Sequence, residues 1–303
     1  MSSIALHSTA RQSFLTGLAI AIVGAIFFSA KAIVAKLIYR YQVDAVTLIA
    51  FRMIFSLPFF AAIAIWKAKT ESPLTGVERA KIVVMGLLGY YLSSFLDFLG
   101  LQYISAGLER LILFLTPSFV LLISVFFLRK KIRLMEWLAL GSAYLGTVLV
   151  FFHDAMIGGS NVMVGGAFVL GSAISYAFYL ILSGELVRRA GALRLVAYAM
   201  CVSSAACIVQ FFLLRPVSML VQPMEVYGLS IINALLCTVL PVILTMIAVE
   251  RIGAATASQA GMVGPVSTLF LAALILDEPI TGIQLAGTAL VLTGIYFLSK
   301  KKV

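Results

Sequence analysis

The amino-acid sequence predicts an all-α integral membrane protein of ten transmembrane helices, built as two inverted five-helix repeats. Three observations lead there: an extreme apolar composition, ten hydrophobic segments joined by short connections, and identities that recur at an offset near half the chain length. Of 303 residues, 62% are hydrophobic and 11% charged; soluble domains hold about 45–50% apolar and about 25% charged residues. A large soluble domain is excluded. The 22 Lys and Arg against 12 Asp and Glu are charge of the kind membrane proteins carry in their loops, not a nucleic-acid surface.

A bilayer-crossing helix needs about 20 mostly apolar residues. Apolar windows, broken at charge, Pro and Gly clusters, fall near 14–38, 45–66, 80–101, 106–128, 134–152, 164–184, 194–214, 226–249, 254–276 and 281–299. The first is preceded by Arg11 alone and is too long for a signal peptide, so it reads as an uncleaved first span. The short connections leave no room for a folded extramembrane domain, which places function inside the bundle. Loops retained in the cytoplasm carry the excess of Lys and Arg. With the N-terminus inside, sixteen basic residues fall on the cytoplasmic side and three, Lys36, Arg40 and Arg215, on the other. Lys31, Arg52 and Arg110 fall within spans. Both termini are therefore expected in the cytoplasm.

A shift of 148 residues superimposes Ile104 on Ile252, Ala106 on Ala254, Pro117 on Pro265, Leu121 on Leu269, Ile132 on Ile280 and Gly146 on Gly294. The same shift lays spans four and five on nine and ten, giving repeats over 1–152 and 153–303. Five is odd, so the second copy enters the membrane in the opposite sense, an architecture of transporters. Pro117 and Pro265 each remove a helix hydrogen bond at matched places and are candidate hinges, with ordinary kinked packing as the alternative. Pro58 and Pro241 are further kink candidates without matched partners.

Several chemistries have no residues to carry them. The chain lacks a GxxxxGK[ST] phosphate loop, an HExxH helix and a GxSxG elbow. Cys201, Cys207 and Cys237 lie in apolar stretches, and His7 and His153 outside the spans, so neither metal, cofactor nor disulfide is expected. If a solute moves, a gradient supplies the energy.

Certain phrases carry a resemblance. Tyr103-Ile104-Ser105-Ala106-Gly107 enters span four with Pro117 inside it; Phe51-Arg52 lies in span two; Leu276-Asp277-Glu278-Pro279-Ile280-Thr281 joins spans nine and ten; spans five and ten are glycine-rich. With these the chain resembles the drug/metabolite transporter superfamily, specifically its EamA-type ten-helix carriers, over nearly its whole length. The resemblance implies two EamA-like repeats in a bacterial inner membrane, no nucleotide cofactor, and export or exchange of small metabolites such as amino acids. The departures concern charge. Phe28-Ser29-Ala30-Lys31 stands where the family tends to a Trp-Gly-x-Asn-like phrase, and Asp97, Glu109 and Arg110 stand where it has small or aromatic residues. The basic run Arg129, Lys130, Lys131 replaces an acidic residue after span four.

An ionisable residue within a span costs roughly 2.5–3.5 kcal/mol on insertion scales, so five of them demand pairing or a wet cavity. Lys31 and Arg52 sit ~10 Å below the extracytoplasmic ends of their helices, and Asp97, Glu109 and Arg110 within ~6 Å of theirs, at 1.5 Å per residue. They share one layer, which is either an ion-pair network closing an outer gate or a recognition surface for a charged solute. For Lys31 and Asp97, ligand contact or gating, a static pair and, least, snorkelling stay open; for Arg52 a structural role is favoured. Tyr90, Ser94 and Asp97 form a polar stripe at i, i+4, i+7 on span three. Glu109 and Arg110 point about 100° apart, and Glu109 is expected to face the cavity. The second half supplies neutral groups, with Tyr176, Tyr179 and Gln259 best placed by depth to touch a substrate.

The expected function is therefore a secondary carrier for a small polar metabolite, an amino acid or a related amphoteric or anionic solute, with a proton coupled through Asp97 or Glu109. A lipid-modifying membrane enzyme lacks an in-span His, and a channel or scaffold is separated from a carrier by saturation and counterflow. Oligomeric state is not legible.

Overall fold

The computed structural model describes residues 2–128, 134–158 and 160–299. Among the described residues, eight helices are long and apolar enough to cross a membrane: Phe14–Tyr39, Ala45–Thr70, Gly76–Leu101, Ala106–Val125, Trp137–Met156, Ser160–Gly184, Ala192–Leu214 and Met224–Gly253. Two shorter apolar helices follow, Val263–Leu276 and Gly282–Phe297. They are called helices one to ten here, in chain order. Side chains such as Phe59, Ile65, Phe152, Leu213, Phe270 and Leu274 are exposed, an apolar exterior suited to lipid. Polar side chains such as Ser93, Ser172 and Asn233 are buried.

Polar residues at the helix starts explain where the spans begin. Asp44 accepts from the Val46 and Thr47 backbone N–H groups at 2.8 and 3.2 Å and opens helix two. Thr75 and Glu78 form a reciprocal capping box at helix three, and Thr281 and Gln284 exchange the same pair of bonds at helix ten. Helix four opens on Ser105, whose hydroxyl accepts from the Leu108 N–H at 3.1 Å, while Glu278 accepts from the Ala106 N–H at 3.2 Å. Each bond satisfies a donor that the first turn leaves without a partner.

Spans four and nine depart from the uninterrupted helices expected over 106–128 and 254–276. Helix four stops after Ala106–Leu113 and resumes at Thr116–Leu128, because Pro117 cannot donate to the turn before it. The segment expected as span nine is set off from helix eight at its start and divided once within. Gly253 takes φ 78°, a left-handed value that glycine tolerates, and a turn at 261–262 precedes Val263–Leu276. That leaves only 14 residues in the apolar helix proper.

Two π-helical stretches also interrupt the bundle, Leu87–Leu92 in helix three and Leu235–Val239 in helix eight. Their first residues are 148 positions apart. Pro241 follows the second, whereas Ser93 follows the first, so proline accounts for one and not the other. In the first stretch and just before it, helices approach closely: a Cβ on Gly89 would fall 2.4 Å from Tyr179, and one on Gly86 2.7 Å from the Ala199 carbonyl.

Helix five packs on ten, two on seven, one on eight and nine, three on six, and four on six. Adding five to every helix of the first half, and subtracting it in the second, returns the same pairs. The large core gathers Ile33, Leu48, Met53, Phe60, Phe98 and Met200 from helices one, two, three and seven, directly beside the charged layer.

Candidate functional site

Helix one carries Phe28, Ser29 and Lys31; helix two, Arg52; helix three, Tyr90, Ser94 and Asp97; and helix four, Glu109 and Arg110. The structure brings the five charged residues into one buried cluster, each at most 5% exposed. Lys31 Nζ donates to Asp97 Oδ2 and lies 3.2 Å from Glu109 Oε1. One ammonium thus serves two carboxylates. Asp97 Oδ1 and both oxygens of Glu109 accept no hydrogen bond.

The two guanidiniums are held differently. Arg52 donates from Nε to the Thr238 hydroxyl at 2.8 Å and from Nη1 to the Ser94 hydroxyl at 3.4 Å. Thr238 in turn donates to the Asn233 carbonyl at 2.9 Å, within the π-helical stretch of helix eight. Arg110 donates to the Ser29 hydroxyl at 3.2 Å, and the Ser29 hydroxyl lies 2.7 Å from the Ala25 carbonyl of its own helix and 3.1 Å from that of Gly264, sharing its one proton between them. The cluster therefore ties first-half charges to second-half backbone.

Beside it lies a cavity of about 570 Å³, within the range of small-molecule sites. Lys31, Arg52, Tyr90, Ser94, Asp97, Arg110 and Tyr176 line it, together with Pro117. Glu109, expected to face the cavity, is instead fully buried behind Lys31, and Arg110 lines the space. Tyr179 does not line the cavity; its hydroxyl lies 3.2 Å from that of Tyr90, and its ring stacks on Tyr176 at 5.3 Å. Pro265 is buried in helix nine outside the lining, and the Gln259 side chain lies outside the described residues. Thr238 and Thr245 escaped the sequence reading, since lone hydroxyls in apolar helices carry no distinguishing pattern.

At the other end of helix one, Lys36 Nζ stands 3.6 Å from Glu278, and Tyr39 donates to the Phe98 carbonyl at 2.6 Å. Glu278 thus caps helix four while pairing with helix one. The Asp277-Glu278-Pro279 phrase joins three elements at this end.

Comparison with known proteins agrees with this architecture. The model of the EamA-like transporter family matches twice, over residues 15–152 and 163–300. An uncharacterized transporter of Bacillus subtilis (strain 168), YcbK, is 30% identical over 288 residues, spanning 91% of this chain and 89% of its own. An uncharacterized transporter of Archaeoglobus fulgidus is 27% identical over 74% of this chain and 79% of its own. A solved crystal structure superposes with a TM-score of 0.61 over 93% of this chain and 96% of that one, at 15% identity, a likeness of fold alone. The relatives are transporters, not enzymes, and the chain is a multi-pass membrane protein of the drug/metabolite transporter group. Matched in both halves, and with a relative 30% identical along nine-tenths of its length, the protein belongs to the EamA-like transporter family.

Proposed function

We propose that the protein is a secondary carrier that moves a small polar metabolite, an amino acid or a related amphoteric or anionic solute, by alternating access. Its setting is the bacterial inner membrane, with both termini in the cytoplasm, and its direction export or exchange. The observation that carries the proposal is the charged cavity between elements of the two halves, lined by Lys31, Asp97 and Arg110 on one side and by Tyr176, Pro241 and Thr245 on the other. A site at the interface of two inverted repeats is exposed alternately when one half rocks against the other.

Residues 1–152 and 153–303 are the two repeats of ten spans in this proposal. Support comes from family matches offset by 148 residues, π-helical stretches beginning at Leu87 and Leu235, and helix pairs that exchange between halves. Pro117 and Pro265 each follow a broken turn and serve as hinges. With the expected orientation, the lining runs from the charged layer past Ala21, Leu180 and Val249 toward the cytoplasmic ends of helices one, six and eight. The Lys36–Glu278 pair and Tyr39 then close the outer end. Asp97 and Glu109 compete for Lys31, so a proton on one carboxylate leaves the ammonium to the other, a means of coupling transport to a proton gradient.

Counterflow in proteoliposomes tests this, with labelled amino acids, organic acids and cationic amines. Saturable exchange of one class is expected, lost in Lys31→Ala and Asp97→Asn. Folded, correctly oriented wild-type protein that exchanges no class would overturn the proposal.

A further inference from the structure

Three cations and two phenyl rings form a connected row in the site. Lys31 Nζ lies 5.6 Å from the ring centroid of Phe28 and 5.4 Å from that of Phe98. The Arg110 guanidinium shares Phe28 at 5.0 Å, and that of Arg52 shares Phe98 at 5.1 Å. The central cation has two carboxylates and the outer cations have none: among the described residues, no ion pair reaches Arg52 or Arg110. Arg52 uses two of its five donors, both on neutral hydroxyls. Arg110 uses one, and its buried Nε has no acceptor.

Both guanidiniums are 5% exposed, and both line the cavity. A charge out of water without a counter-ion is strongly unfavourable, and aromatic faces and hydroxyls compensate only part of that. The planar fork of a guanidinium matches a carboxylate in two parallel bonds, which a hydroxyl cannot supply. With both acids ionised, three cations against two carboxylates leave one positive charge. A monoanion neutralises it; a zwitterion or an amine does not. Most of the remaining wall is apolar or aromatic, with Leu113, Phe114, Tyr176, Leu180, Val242 and Met246, beside the hydroxyls of Ser93, Ser94, Thr116, Ser172 and Thr245.

We propose that Arg110 forms a carboxylate subsite, with Arg52 the second cation of the same cavity that lacks a counter-ion, and that the cavity takes a monocarboxylate with an apolar or aromatic body. This rests on the cavity being the transport site and names the chemistry of its solute. Gly264 belongs to the subsite by omission: a Cβ there would fall 2.7 Å from Arg110 Nη2, so the bare backbone makes room for the guanidinium.

The test is equilibrium binding to purified protein of four probes with one ring and different heads: phenylacetate, phenyl phosphate, phenylacetamide and phenethylamine. Phenylacetate is expected to bind at least about tenfold more tightly than the other three. Arg110→Gln weakens it by about tenfold or more, the scale of a lost charged hydrogen-bond pair, and Arg52→Gln weakens it in the same sense but less. Gly264→Ala keeps the charge but displaces it, and weakens phenylacetate in the same sense; it decides the matter if the arginine variants do not fold. No phenylacetate binding by folded wild-type protein overturns the proposal, as does preference for the phosphate, amide or amine, or unchanged affinity in the variants. Counterflow of a non-anionic solute would leave a carrier standing while this subsite fails. Phenylacetate binding with no counterflow of any class would do the reverse.

Discussion

Ser142 donates its hydroxyl to the carbonyl oxygen of Leu290 at 2.9 Å, and the two residues lie 148 positions apart. In the proposed pair of inverted repeats, equivalent positions touch only near the axis that relates the two halves. Helices five and ten make this contact because glycines let their backbones approach: a Cβ on Gly146 would fall 2.5 Å from the Gly287 carbonyl, and one on Gly294 2.4 Å from that of Ala139.

Gly146→Ala is therefore expected to force helices five and ten apart, at the cost of about 1–3 kcal/mol typical of overpacking. Gly141→Ala, on the same helix with nothing within 4 Å of the new Cβ, is expected to be neutral or slightly stabilising. Thermal unfolding in detergent compares the two. Equal melting temperatures would mean that the helix pair tolerates separation.

Lys31 is the shared partner of Asp97 and Glu109, so its removal strands two carboxylates. Lys31→Ala is expected to destabilise by about 3–5 kcal/mol, the scale for breaking a buried pair. Asp97→Asn leaves Glu109 to hold the ammonium and should be milder. The double variant Lys31→Met with Asp97→Leu should recover part of the loss. Thermal melts of the three variants check the order, and a milder loss for Lys31→Ala than for Asp97→Asn contradicts it.

If Asp97 takes part in proton coupling, Asp97→Asn lowers transport by about tenfold or more and flattens its pH dependence, the kind of loss that follows removal of an acid–base group. The variant should still elute as a folded protein. Transport rates measured across pH 5 to 8 decide it: a full rate with an unchanged profile excludes Asp97.

Asp44, outside the membrane-spanning segments, supplies a separate pH dependence. Partial burial pushes its carboxyl up, but hydrogen bonds from Arg215 and from the Thr47 backbone and hydroxyl outweigh that and hold it below the ordinary carboxylate value. A depressed folded value stabilises above the unfolded pKa of about 3.9 and ceases to do so as pH falls through the folded one. Asn caps a helix as well as Asp, so Asp44→Asn isolates the charge. The wild type should melt higher above about pH 4, by less than about 1 kcal/mol in stability for so exposed a pair, and the gap should close below it. A gap independent of pH would assign the effect to the cap alone.

Much of the membrane architecture was legible because it rests on composition. Long apolar runs state locally where the spans lie, and the Ser105 phrase where one begins; the caps Asp44 and Thr75 entered only with the structure. Interruptions were legible only in part. Pro117 marks the broken turn in helix four, but the π-helical stretch at Leu87–Leu92 has no proline and arises where Gly86 and Gly89 meet helices seven and six. Arg52, Asp97 and Lys31 announced themselves as charges that apolar helices do not carry without cause. That Arg110 lines the cavity and Glu109 hides behind Lys31 depends on the helix rotation set by packing.

By itself, then, the sequence determined a multi-span helical protein with a charged layer in its first half and a recurrence at 148 residues, since hydrophobicity, caps and repeats are properties of neighbouring or aligned residues. Only the tertiary structure decided which charges pair, which guanidiniums stay without a counter-ion, and which hydroxyls hold them. Those outcomes depend on distances of 3 to 4 Å between helices far apart in the chain, which linear order does not encode.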